Sequence, residues 1–316
     1  MFKNIKVGDV VVSRNGDCLR TTEVDWEGFK TDDGNWHWKS DGRLNTLFQT
    51  DNDAVMYLNN TSYYRIRESV VRWIGDWFKL NGDGCKAIIG ISGGKDSSVV
   101  AALCVEALGR DRVIGVLMPN CKQDDIEYSY KLVEHLGIQH ILVDIGSAYK
   151  ELTKKIDAGF DGMVCENGGV RQYFNSVYWN NTPARLRMTT LYGIAACVNG
   201  RVANTCNLSE NFISYSTKFG DAAGDFSPLG NLTVTEVKAL GYELGLPEAL
   251  VVKVPTDGMC GKTDEDNFGF TYDVLDKYIR TGICEDEVVV QKIEGMRMAG
   301  LHKHKLIDTF KSLKNV

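Results

Sequence analysis

Between residues 86 and 98 the chain passes from a short apolar run into a glycine-rich turn and then into a helical pattern. This junction constrains the fold more than any other feature. Residues 86–91 are too few for a helix and are rich in isoleucine, as a strand buried on both faces of a parallel sheet requires. In the following Ser92-Gly93-Gly94-Lys95-Asp96-Ser97-Ser98, the two glycines permit a sharp turn and a close approach of backbone to ligand. The serines offer hydroxyls, and N–H groups at the new helix start face an anion. Lys95 adds positive charge. Asp96 would repel a phosphate unless a cation stood between them, which predicts Mg2+ as a bridge.

Two similar motifs fail here. A Walker loop needs glycine where Ile89 stands and Ser or Thr where Asp96 stands. The run Gly82-x-Gly84-x-x-Ala87 precedes the strand, whereas a dinucleotide fingerprint follows one. A plain helix cap would account for one serine but not for the whole string.

From Thr61 onwards the chain alternates between helix and strand. Ile66, Val70, Trp73, Ile74 and Trp77 make an apolar stripe on a helix over 61–80. Strands are expected at 113–118, 140–143, 202–206 and 251–254. Helices are expected at about 97–109, 124–137, 183–199, 233–245 and 266–280. The pattern predicts an α/β fold, a doubly wound, Rossmann-like parallel sheet with helices on both faces. Residues 1–58 have a different rhythm, with turn signals every eight to ten residues around runs such as Val10-Val11-Val12 and Trp36-His37-Trp38. They predict a small antiparallel β-barrel or sheet of unread role. Two domains follow, 1–58 and 59–316.

Composition narrows the function classes. No apolar run approaches the roughly 18–20 residues needed to cross a bilayer, and the N-terminus lacks a secretory signal, so a soluble cytoplasmic protein is expected. The nine cysteines are scattered singly with no Cys-x-x-Cys pair, which argues against zinc ribbons and a disulfide framework. A net charge of −6 offers no global basic field for nucleic acid.

Ser-Gly-Gly-x-Asp-Ser after a strand resembles the pyrophosphate loop of the ATP pyrophosphatase superfamily, whose fold is adenine nucleotide alpha-hydrolase-like. Its members activate a carboxyl or carbonyl oxygen as an adenylate. Further blocks discriminate among them. Asn204-Thr205-Cys206-Asn207-Leu208-Ser209-Glu210 leads into Ser216-Thr217-Lys218-Phe219-Gly220-Asp221, then Asp225 and Pro228-Leu229. Upstream stands Asn181-Thr182-Pro183-Ala184-Arg185-Leu186-Arg187-Met188. Downstream come Lys253-Val254-Pro255-Thr256 and a Thr263-Asp264-Glu265-Asp266 helix start. In this order, over roughly 61–305, they resemble ammonia-dependent NAD synthetase.

The resemblance implies roles. Gly90, Ile91, Ser92, Gly93, Gly94, Lys95, Asp96 and Ser97, with Thr205 and Thr256, would hold ATP. Asp96 and Glu210 would bind Mg2+. Arg185, Lys218, Asp225, His302 and Lys303 would contact deamido-NAD, although His304-Lys305 aligns almost as well as His302-Lys303. Asp96, Lys218 and Asp221 would be catalytic. A homodimer is implied, because such enzymes place the dinucleotide at a subunit interface. Only about 58 residues precede the core, too few for a glutamine-hydrolysing domain, so free ammonia is the expected nitrogen source.

Plainer readings stand beside these. Arg185 and Arg187 could form an exposed helix face, and Glu210 could be a surface residue. Lys218, Asp221 and Asp225 could be solvated loop charges. Tyr173, Phe174, Tyr178 and Trp179 could stack on a base or simply pack, and Asp124-Asp125 could be an ordinary helix start. Three departures from the family pattern stand out: Val234 in place of an ATP-contacting lysine, Ala222-Ala223-Gly224, and Asn207 in place of a common histidine. Two rival functions remain open here: a tRNA-modifying ATP pyrophosphatase with the β domain as an RNA-binding module, and a nucleotide-binding regulator without turnover.

Overall fold

In a computed structural model of the chain, the described residues are 10–13, 18–24, 28–31, 36–38, 54–58, 60–160, 174–253 and 263–305, with side chains described from residue 63 onwards. Strands β1 (Val10–Ser13), β2 (Cys18–Val24), β3 (Gly28–Thr31), β4 (Trp36–Trp38) and β5 (Ala54–Leu58) form an antiparallel sheet in the order β4-β3-β2-β1-β5. Sequence reading finds the first four; β5, bounded by Asp51-Asn52-Asp53 and Asn59-Asn60, carries turn signals on both sides but is not among them.

Helix α1 (Asn60–Asn81) follows, then β6 (Lys86–Gly90), α2 (Lys95–Leu108), β7 (Val113–Leu117), α3 (Ile126–Leu136), β8 (Gln139–Leu142), α4 (Gly146–Phe160), α5 (Ser176–Val198) and β9 (Gly200–Val202). The strands pair in parallel in the order β8-β7-β6-β9. Alternation along β6 and β7 sorts the core. Ala87, Ile89, Val113 and Leu117 face α1, α2 and α3, while Ile88, Ile114 and Val116 face Met188, Leu191 and Ala195 of α5. Both faces of the sheet are therefore covered, as parallel sheets require. The order reverses at β6: the chain moves outward through β7 and β8, then returns to place β9 on the other side. In such sheets the crevice beyond the strand ends at this reversal is where ligands bind.

The remaining helices are α6 (Leu208–Phe212), α7 (Val234–Glu243), α8 (Glu248–Val251), α9 (Asp264–Phe268), α10 (Tyr272–Thr281) and α11 (Glu287–His304). Ile213, Val234, Phe268, Leu275 and Ile293 gather them around a separate apolar cluster.

Several expectations need correction. The run expected as a strand at 251–254 opens on the end of α8, which starts after Pro247 and buries Leu250 and Val251; a short apolar run does not by itself separate strand from buried helix. Residues 266–280 are two helices, because Gly269 closes α9 in the left-handed region at φ 76°. Helix α5 starts seven residues before the expected 183, where Asn175 accepts a hydrogen bond from the Tyr178 N–H. Segment 203–206 leaves the sheet after Val202, since the Asn204 N–H donates to Phe226 O. Trp73, assigned to the buried stripe of α1, is 43% exposed, whereas Ile74 is fully buried. Helices α4 and α11 are not among the expected elements; the apolar residues of α11 scatter around its axis without forming one stripe.

Candidate active site

Two segments leave the sheet at the reversal, 91–94 after β6 and 203–207 after β9. Ile91 stays in register with the sheet by donating its N–H to Val116 O, and its carbonyl accepts from the buried Ser129 hydroxyl. Gly93 then turns at φ 74°. A Cβ there would lie 2.6 Å from Tyr128 Cβ and 2.8 Å from Ser129 N, so α3 presses on the turn from behind. The serines hold the loop to itself. The hydroxyls of Ser92 and Ser97 lie 3.1 Å apart, and Ser97 and Ser98 donate to Gly94 O. Gly94 is the N-cap of α2 and has no side chain to cap with. The first N–H groups of this 14-residue helix are left for an incoming anion.

Across the crevice, Asn207 joins the two candidate metal-binding carboxylates. Its Nδ2 donates to Asp96 Oδ1 at 3.0 Å, and its Oδ1 accepts the Glu210 N–H at 3.0 Å. Glu210 Oε2 in return accepts the Asn207 N–H, completing a capping box on α6. Lys95 does not face the mouth of the loop. It is 3% exposed, and its Nζ donates to Asp96 Oδ2 at 2.9 Å and lies 5.8 Å from the Tyr272 ring centre. Tyr272 donates to Asp264. One lysine thus serves three carboxylates: Asp96, Glu210 and Asp264. Burial, with the Asp96 charge second, pushes the Glu210 carboxyl well above its usual range; burial also raises Asp264.

Asn207, Asp264 and Tyr272 are thus site residues that sequence reading missed as such. The Asn-x-x-Glu capping pattern was the available signal for Asn207. Val234, where the family carries a lysine, is 2% exposed in the cluster that also holds Tyr272, and Lys95 reaches the edge of that cluster from the other side.

Beyond Asp221 the chain forms a second feature, a cavity of about 430 Å3 lined by Ser176, Asn180, Asn181, Arg185, Ser216, Lys218, His302 and Lys303. Backbone carbonyls hold its cations. Lys218 Nζ donates to His302 O at 2.8 Å, Lys303 Nζ donates to Ser214 O and Ser216 O, and Arg185 Nε donates to Lys218 O. None of these three makes an ion pair with a carboxylate among the described residues. Among the described residues the buried Ser216 hydroxyl has no hydrogen-bond partner.

The structure thus brings together four of the five residues expected around the nucleotide substrate. Asp225 is not among the lining residues. Its carboxylate accepts the Val202 N–H at 2.7 Å and the Tyr192 hydroxyl at 3.3 Å, pinning the end of β9. His304 contacts Ser214 Oγ through Nε2 and does not line the cavity, whereas His302 and Lys303 do. Asp221 accepts the Thr217 N–H, and Thr205 sits half-buried behind β9. Thr256 and Tyr173 lie outside the described residues. Burial pushes the Cys206 and Cys104 thiols up, so neither presents a thiolate nucleophile.

With this geometry in place, comparison with known proteins decides the family. The sequence model described as NAD synthase matches residues 66–312. The NH(3)-dependent NAD(+) synthetase of Syntrophomonas wolfei is 36% identical over 245 residues, 76% of this chain and 94% of the relative.

The chain belongs to the NAD synthase family.

The NH(3)-dependent NAD(+) synthetase of Methanocaldococcus jannaschii is 40% identical over 196 residues, 61% of this chain and 71% of the relative. Among solved structures, the NMN synthetase of Francisella tularensis superimposes with a TM-score of 0.70 at 30% identity, covering 81% of this chain and 100% of that one. The NH3-dependent NAD synthetase of Campylobacter jejuni gives 0.61 at 26%, covering 79% and 99%. As an NAD synthase family member the chain is a ligase that forms a C–N bond on a small-molecule substrate with ATP as co-substrate. Among the described residues no helix is long and apolar enough to cross a membrane.

Proposed function

We propose that this chain amidates deamido-NAD with ammonia, consuming ATP and releasing AMP and pyrophosphate through an acyl-adenylate. One observation carries the reading: an uncapped helix start follows a glycine turn at the sheet reversal, and a cavity between α5 and α11 holds two lysines and an arginine that hydrogen-bond only to carbonyls among the described residues. The first is suited to the ATP phosphates, the second to the phosphates of a nucleotide substrate.

In this reading Gly90, Ile91, Ser92, Gly93, Gly94, Asp96 and Ser97, with Thr205 and Thr256, surround ATP. Arg185, Lys218, His302 and Lys303 hold deamido-NAD, and Asp225 acts from behind by fixing β9. Lys218 and Asp221 stand where the two ligands meet. Asp96 and Glu210 fit Mg2+: both are hard oxygen donors, and one lysine leaves the surrounding carboxylates in excess. Among the described residues no three acidic, histidine or cysteine side chains could hold a metal alone. When bound, Mg2+ would neutralise charge gathering on the departing pyrophosphate.

The remaining work is positioning, with no protein nucleophile. We further propose division into domains 1–58 and 59–316, supported by the change from strand to helix between Leu58 and Asn60. A cytoplasmic homodimer is also proposed. Val177, Trp179 and Tyr192 on α5 are exposed and could meet a second subunit.

A second reading keeps the chemistry and changes the substrate to nicotinate mononucleotide, because the Francisella relative is named an NMN synthetase. Parallel assays with deamido-NAD and the mononucleotide, each with ATP, Mg2+ and ammonium, separate the two. The first reading expects NAD as the faster product; preferred turnover of the mononucleotide would replace it with the second. Glutamine working as well as ammonium, in ammonia-free conditions, would refute the nitrogen source.

A further inference from the structure

Arg185 and Arg187 lie two positions apart on α5, so about 200° of rotation separates them around the helix. Arg185 is exposed at the edge of the cavity. Arg187 turns inward, and its Nε donates to Met118 O at 3.0 Å, just beyond the end of β7. Among the described residues no carboxylate pairs with it and its terminal nitrogens have no hydrogen-bond partner; Asp221 is the one charge that acts on it, and from beyond ion-pair distance. Arg187 is half-buried, and a guanidinium drawn out of water is ordinarily paired, because its fork offers five donors and cannot lose its charge. An inward arginine spending one donor on a carbonyl is poised for an anion the protein does not itself supply.

Its location identifies the anion. A Cβ on Gly90, at the start of the phosphate loop, would lie 3.2 Å from Met118 Cε, so the carbonyl anchoring Arg187 belongs to a residue packed on that loop. On the other side, Asp221 accepts the Thr217 N–H, next to Lys218 of the substrate cavity. Arg187 therefore stands between the loop and the cavity.

We propose that the Arg187 guanidinium receives the reacting carboxylate as it meets the α-phosphate of ATP, and then the acyl phosphate formed there. This rests on the adenylating function proposed above. In the first step a carboxylate oxygen bonds to the α-phosphorus while the bond to the β-phosphate oxygen breaks and its electron pair leaves with pyrophosphate. In the second, ammonia bonds to the acyl carbon, the carbon–oxygen bond breaks, AMP leaves with that pair, and the nitrogen loses a proton to water. Arg187 stays protonated throughout and acts as a fixed, pre-oriented charge.

The test is substrate-dependent exchange of labelled pyrophosphate into ATP without ammonia, on the full chain carrying Arg187→Met or Arg187→Lys. Lysine keeps the charge and can reach Met118 O but loses the fork, so a merely structural role would tolerate it. The maximal exchange rate is expected to fall about 100-fold in Arg187→Met and about tenfold in Arg187→Lys, with KM for ATP moving less than about threefold. Exchange at the wild-type rate in either variant, whatever the change in melting temperature, overturns the proposal. Wild-type protein failing to exchange with deamido-NAD or the mononucleotide would overturn the function itself and not merely this role for Arg187.

Discussion

The phosphate loop and the substrate cavity are built on opposite plans. The loop is mostly local: Ser92, Gly94, Ser97 and Ser98 bond within a stretch of seven residues, with α3 behind the turn and Lys253 Nζ donating to Ser92 O from outside it. The cavity is assembled at long range. Arg185 comes from α5, Lys218 from the segment after α6, and His302 and Lys303 from the end of α11, 84 to 89 positions from the residues they bond. A mostly local device is damaged chiefly within its own few residues and at the few contacts that hold it. A device assembled at long range can be damaged wherever its parts dock.

The largest effect is expected where the two plans meet. Asp96→Asn and Glu210→Gln keep the Asn207 bridge sterically but each removes a carboxylate, and turnover at limiting Mg2+ should fall about 1,000-fold. Near-normal turnover would remove these residues from the metal site.

Next comes Lys95→Met. Losing the one ammonium among the described residues that acts on all three carboxylates should destabilise the chain by about 3 kcal/mol in denaturant titration, since breaking a buried pair leaves its charge uncompensated. An unchanged midpoint would show that Lys95 does not hold the cluster together.

Gly93→Ala strains the loop itself. The positive φ alone costs about 1–2 kcal/mol, before the contact with Tyr128 is counted, and ATP affinity should fall with stability. Full ATP affinity in this variant would break the claim that the loop has one allowed shape.

The smallest effect probes the other plan. A Cβ on Gly300 would lie 2.0 Å from Ser214 Cβ, so Gly300→Ala should push α11 off the segment carrying Ser216 and Lys218. KM for the nucleotide substrate is expected to rise about tenfold with KM for ATP unchanged, because small misplacements of positioning groups are costly. Equal changes in both constants would show that the two regions are not separable.

The same contrast explains what the sequence disclosed. The strand–turn–helix junction and the sheet class follow from neighbours in the chain, and residues 86–98 display them directly. The cavity was legible only as a resemblance, since no local pattern says that Lys303 will meet Ser216. The arginines show the limit most clearly. Sequence places Arg185 and Arg187 on one helix, but only packing shows that one faces solvent while the other turns to Met118. Helix α11 was missed for the same reason, its apolar residues answering to several surfaces at once. At Lys95 the tertiary environment reversed the simple reading: a lysine in a phosphate loop lies behind it, balancing carboxylates.

The central claim is that loop and cavity act on one carboxylate, activating it with ATP and passing it to ammonia. Mass spectrometry of the purified chain incubated with deamido-NAD, ATP, Mg2+ and ammonium tests this directly. The account predicts NAD, AMP and pyrophosphate in equal amounts. ATP bound without release of AMP and pyrophosphate, with deamido-NAD or with the mononucleotide, would contradict it.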